Sequence, residues 1–185
     1  MAETEAIACL RKGDIGGLAW LVKRYQVQAV RVAFLIVHDE GIAREIVQAS
    51  FLRLHERIGQ FDDKLPFAPW FFRIVVNDAL KTIRYQKRLA SWEAILESGE
   101  VALHSQLPGP EESLSSILQK EAVWLALQKL TPPQRAAVVM RYYLDMSEQE
   151  MSARLQIAPG TVKWRLHQAR QRLRELLHGE RLEVQ

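Results

Sequence analysis

Five side chains within FFRIVVNDALKTIRYQKR, residues 71–88, have the types and spacing to hold a polyanion: Arg73, Asn77, Lys81, Arg84 and Arg88. On a helix turning about 100° per residue they fall within an arc of about 80°. Four cations can neutralise phosphates, and the amide can offer hydrogen bonds to a base edge. Ile74, Val75, Leu80 and Ile83 lie elsewhere on the helix and can enter a core. A solvated polar face produces the same stripe, so it leaves both readings open.

A second constellation lies in SEQEMSARLQIAPGTVKWRLHQARQRLRELL, residues 147–177. Ser147 and Glu150 fit a capping box that opens a short helix over 148–155. Gln156 to Gly160 form a tight connection, and a second helix begins at Pro159 and Gly160. There Val162, Leu166, Ala169, Leu173 and Leu176 make one apolar stripe, while Lys163, Trp164, His167, Gln168, Arg170, Gln171 and Arg174 sit off it. Two helices in this relation, the second longer and basic, predict a helix-turn-helix. Its second helix enters the major groove first-turn residues foremost. Trp164 either stacks on a sugar or thymine methyl or packs on the preceding helix. Enzyme chemistry has no such support: there is no nucleophile elbow or phosphate loop, and His38, His55, His104, His167 and His178 are scattered. No cofactor or metal is expected.

These side chains need helices to carry them, and helical periodicity runs through the chain. The spacing predicts helices over 3–12, 16–37, 42–58 and about 70–88, with 59–69 as a loop. Helices resume over 113–129, from about 132 to Leu144, and in the two just described. The fold expected is all-α: an N-terminal domain over 1–88, a flexible acidic linker over 89–116 with a short helix near 91–97, and a C-terminal helix-turn-helix domain over 117–185. Charge follows that division. Of a net +3, residues 1–88 carry +4, residues 89–119 carry −5 and residues 120–185 carry +4. Two basic blocks around an acidic segment point to polyanion binding by the blocks. The polar, acidic N-terminus is unlike a signal peptide, and no apolar run approaches the roughly 20 residues of a membrane span. A cytoplasmic protein is therefore expected. The single Cys9 allows no internal disulfide and reads as a small core residue.

Four stretches carry a family resemblance: LVKRY at 21–25, EIVQASFLRL at 45–54, FDDKLPFAPWFFRIVVN at 61–77, and the run from Leu130 to Leu173. In this order and spacing the chain resembles the extracytoplasmic-function group of bacterial sigma-70 factors. The resemblance implies that the N-terminal block melts the minus-10 element and the C-terminal block binds the minus-35 element. It places Arg73, Asn77, Lys81, Arg84 and Arg88 against minus-10 DNA, and the loop Phe61, Asp62, Asp63, Lys64 around a flipped base, with a plain core role as the alternative for Phe61. Trp70 is expected in the core. It places Thr161, Lys163, Trp164, Arg165, His167, Gln168 and Arg170 on minus-35 DNA, with Arg165 and Arg170 on phosphates. Glu45, Gln48, Ala49, Phe51 and Leu52 are implied to dock on the clamp helices of RNA polymerase core, with a further contact to its flap. The linker is implied either to thread polymerase channels or to serve as a solvated tether.

The docking helix departs from the family's acid-rich pattern at Arg44 and Ala49. Phosphate on the adjacent Ser50 would restore the missing charge, which predicts core binding switched by a kinase. An anti-sigma factor is the other regulator implied. Two rivals stay open on sequence alone: a helix-turn-helix repressor or activator working without polymerase, and a sigma mimic that titrates an anti-sigma factor.

Overall fold

The structure, a computed structural model, describes residues 1–93 and 122–179, with side chains for 1–89 and 122–177. The chain divides into two units, Met1–Gly99 and Glu100–Gln185. Among the described residues there is no strand.

The first unit holds α1 (Glu3–Arg11), α2 (Ile15–Val37), α3 (Glu40–Arg57), a 3-10 turn (Ile58–Gln60) and α4 (Phe67–Glu93). Each boundary has a local cause. The Asp14 carboxylate accepts from the Gly16 N–H at 2.8 Å and starts α2; that of Asp39 accepts from the Ile42 N–H at 2.8 Å and starts α3. Between them His38 turns left-handed (φ 64°) and closes α2, its N–H donating to Phe34 O at 2.8 Å. Each carboxylate satisfies a donor that a helix start leaves orphaned.

α2 packs on α1, α3 and α4, and α3 packs on α4. The apolar stripe of α2 is buried as its period requires: Leu21, Tyr25, Ala29, Val32, Ala33 and Ile36. Against it α4 sets Phe67, Phe71 and Phe72, whose rings lie 5.5–6.1 Å from that of Tyr25. Gly17 lets α1 approach closely, since a Cβ there would stand 2.2 Å from the Ala6 carbonyl oxygen.

The second unit contains helical residues 122–128 (α5), α6 (Pro132–Val138), α7 (Glu148–Leu155) and α8 (Pro159–Gly179). α6 runs into a π turn over Val139–Tyr143, where the Leu144 N–H reaches Val139 O at 3.1 Å. α8 lies on α6 and α7. The core gathers Leu130, Ala136, Met140, Met146, Met151, Val162, Leu166 and Ala169. Arg135 is buried here, donating to Leu130 O at 3.0 Å, and burial pulls its pKa down to about 10.

Several expected boundaries shift. The loop expected from residue 59 opens in a 3-10 turn, Ile58–Gln60, that carries the chain past Gly59. α4 begins at Phe67, not near 70, because Pro69 falls in the first turn, where its missing N–H has no helical partner to lose. α4 also runs to Glu93, so residues 89–93 of the expected linker are helical, including the start of the short helix placed near 91–97. The rest of the expected linker, to residue 116, and the first part of the helix expected over 113–129, to residue 121, lie outside the described residues. Cys9 is half-buried rather than a full core residue.

Candidate nucleic-acid interface

The distal half of α4 is built to carry charge outward. Its inner face buries Val75, Val76 and Ala79. Opposite, Lys81, Arg84 and Arg88 are exposed and together line one surface groove. Arg84 is oriented by its own helix, its Nε donating to Leu80 O at 3.2 Å. Arg73 and Asn77 share the stripe but are half-buried. Cation density therefore rises along the helix as it leaves the core. Among the described residues no group of three or more His, Cys, Asp or Glu could hold a metal ion.

The loop before α4 folds on itself. Asp62 accepts from the Lys64 N–H through its side chain at 3.0 Å and from the Leu65 N–H through its carbonyl at 3.0 Å. Asp62, Asp63 and Lys64 are exposed. For Phe61 the structure favours the core alternative. Its ring is only 5% exposed and packs on Phe67 and Trp70, with centroids 5.4 and 5.2 Å away. It is a core ring, and in this conformation its face is not offered to a flipped base. Trp70 is half-buried in the same cluster. The loop also has a partner that sequence spacing gave no means of finding. Arg11, at the end of α1, bonds to Ile58, Phe61 and Asp63.

On α3, Glu45, Gln48 and Leu52 are exposed at helical spacing, and Ala49 is half-buried beside them. Phe51 is not part of that surface. It is 6% exposed and stacks on Phe71 at 4.7 Å between centroids, one residue round the helix and facing the core. Ser50 is fully buried, and its hydroxyl donates to Asp78 Oδ2 at 3.0 Å. Asp78 also pairs with Arg53. No kinase can reach a hydroxyl sealed between α3 and α4, so phosphorylation of Ser50 is ruled out as the switch in this fold. Arg44, the other departure from an acidic surface, pairs with Glu40 one turn earlier.

The second unit presents a helix-turn-helix. The Ser147 hydroxyl receives the Glu150 N–H at 3.2 Å, and the Glu150 carboxylate accepts from the Ser147 N–H at 2.7 Å. The Ser147 hydroxyl also donates to the Glu150 carboxylate at 2.7 Å, and this bond first, then the one from the Ser147 N–H, holds the Glu150 carboxyl below its ordinary pKa. α7 ends at Gln156, left-handed at φ 55°, and the Ser152 hydroxyl donates to Ile157 O at 2.7 Å across the turn. On α8, Val162, Leu166 and Ala169 are buried, which sets the opposite face outward. Lys163, Trp164, His167 and Arg170 are exposed; Thr161, Arg165 and Gln168 are half-buried at the margin. Trp164 is 60% exposed, so it does not pack fully on α7. A large apolar ring left in water amid cations is the combination that stacks on nucleotides.

Two families of sequence match this layout in order. Sigma-70 region 2 matches residues 21–89, which contain the α3 surface, the loop and most of α4. Sigma-70 region 4 matches residues 120–173, which contain the helix-turn-helix. Among curated relatives, the RNA polymerase sigma factor CarQ of Myxococcus xanthus is 30% identical, the match covering 80% of this chain and 82% of CarQ. The ECF RNA polymerase sigma factor SigW of Bacillus subtilis is 28% identical over 91% of this chain and 92% of its own. The fold resembles that of the sigma factor RpoE from Bartonella quintana, solved with the anti-sigma factor NepR. The TM-score is 0.70 at 23% identity, covering 86% of this chain and 96% of RpoE.

Proposed function

The chain belongs to the extracytoplasmic-function group of sigma-70 factors, and from that premise we propose which of its surfaces does what. It binds RNA polymerase core and directs promoter recognition and transcription initiation. The observation that carries this is the presence of regions 2 and 4, in order, on a chain whose exposed basic faces fall inside both. Its role is recognition, and the chemistry of RNA synthesis belongs to the polymerase.

In the N-terminal unit, expected over 1–88 and extended here along α4, Glu45, Gln48 and Leu52 meet the clamp helices of the polymerase, with Ala49 at the edge. Lys81, Arg84 and Arg88 neutralise phosphates of the minus-10 region, Arg73 assists from the half-buried end, and Asn77 reads a base. Asp62, Asp63 and Lys64 receive the flipped base at the polar rim of the loop, with Phe61 beneath them as support. In the C-terminal unit, expected over 117–185, Thr161, Lys163, His167 and Gln168 face bases of the minus-35 element. Arg165 and Arg170 hold phosphates, and Trp164 stacks beside them. This unit also meets the polymerase flap. The acidic residues between the units serve as the linker. Ser50 is inaccessible to a kinase, which leaves an anti-sigma factor or control of expression as the regulation to test.

Gel filtration with purified polymerase core tests the reading. The chain should co-elute with core without DNA, and Leu52→Arg should release it while leaving the fold intact. A helix-turn-helix regulator acting alone would elute separately from core.

A further inference from the structure

Arg11, the last residue of α1, touches three points on a segment 47 to 52 residues away. Its Nε donates to Ile58 O at 3.3 Å, one terminal nitrogen donates to Phe61 O, and the other pairs with the Asp63 carboxylate. These acceptors mark the 3-10 turn, the first loop residue and the loop tip. A planar guanidinium with donors in a fixed fork can hold three acceptors at set angles; a lysine ammonium cannot.

Stability alone is a poor reason for this contact. The Asp63 side chain is 64% exposed, and ion pairs in such places add little in water. Shape is the better one. Arg11 lines an open cleft of about 680 Å³ whose other walls are Ile58, Gly59, Phe61, Asp62, Asp63 and Lys64. Small ligands occupy clefts of roughly 300–1,000 Å³. α1 is itself a rigid post for the arginine, pressed onto α2 at Gly17 and tied by a hydrogen bond from the Tyr25 hydroxyl to Glu3.

We propose that Arg11 is a positioning residue for promoter melting: it fixes the loop 61–64 in the single shape that discriminates among flipped bases. The inference rests on the reading of that loop as the base-capturing segment. A recognition site must hold its polar groups within about 0.5 Å of the productive geometry. Without the fork, the two carbonyls and the Asp63 carboxylate lose their common anchor, and the loop accepts any base weakly.

The test uses the full chain with polymerase core on promoters carrying each of the four bases at every minus-10 position. Open-complex formation is measured for wild type, Arg11→Ala, Arg11→Lys and Lys64→Ala, alongside core affinity and Tm. Both Arg11 variants should keep core affinity and minus-35 preference. They should flatten base preference at the loop-read position about tenfold, the size of one good base contact. Lysine should fail to rescue, because charge without the fork does not set the loop. If Arg11→Ala unfolds, Arg11→Lys decides alone. Wild-type discrimination in Arg11→Lys, or a loss equal at all positions, overturns the proposal. If Lys64→Ala alters preference and Arg11→Lys does not, only the role of Arg11 falls. If neither alters preference at any position, the reading of the loop falls with it.

Discussion

Asn77 and Arg84 share one face of α4 but ask different things of DNA. An amide can distinguish base edges, whereas a guanidinium on a phosphate carries no sequence information. Asn77→Ala should therefore reduce use of particular minus-10 sequences while sparing others. Arg84→Ala should weaken all promoters about equally and lower the salt dependence of binding by roughly one phosphate contact. Competition binding across a promoter library at several salt concentrations separates the two. On α8, Gln168→Arg should move the preferred base at one minus-35 position toward guanine, with about 1–3 kcal/mol of discrimination. An unchanged preference in a randomised-promoter selection would remove Gln168 from the base-reading set. Residue type and spacing made these surfaces legible because exposed cations follow the helical period directly. They left Phe61, in the loop, open between base contact and core, and they misplaced Phe51 and Ser50, which are adjacent to surface positions of α3 but one step round toward the core. A 100° step decides burial, and only the packing partner, here Phe67, Phe71 or Asp78, fixes which side faces in.

At the scale of elements, caps and close approaches do more than propensity. Ser147→Ala removes the cap of α7 and should cost about 1 kcal/mol at neutral pH. The Glu150 carboxyl is held low by its bonds from Ser147, first the side chain and then the backbone. A depressed carboxyl stabilises the fold above its unfolded value of about 4.3 and loses that contribution as pH falls through the folded value. The deficit of Ser147→Ala should therefore narrow below about pH 4.3, as urea titrations of the second unit at a series of pH values would show. Gly17→Ala would drive a Cβ into the Ala6 carbonyl and the Leu10 amide, 2.2 and 2.8 Å away. α1 must then lift from α2, at about 1–3 kcal/mol of overpacking, and Arg11 lifts with it. The prediction is a lower Tm together with the same loss of base preference as Arg11→Ala. Helix positions were legible here because long amphipathic stripes are strong signals. The 3-10 turn and the π turn were not, since each is a local compromise between a helix end and the packing it meets.

For the whole molecule, two basic faces on one chain matter more than either alone. With phosphate contacts proposed for each unit, promoter affinity should fall steeply with salt, in proportion to the contacts made by both. The two-unit order was readable from charge, with +4 blocks around a −5 segment. The bond network between Arg11 and the loop was not, because contacts across fifty residues leave no periodic trace. The central claim is that this chain gives polymerase core a promoter address. Run-off transcription in vitro, with core enzyme, this chain and genomic fragments, tests it most directly. Discrete transcripts should start only when the chain is present and vanish when Lys81, Arg84 and Arg88 are replaced together by alanine. Core that binds the chain yet starts no discrete transcript on any fragment would contradict the account.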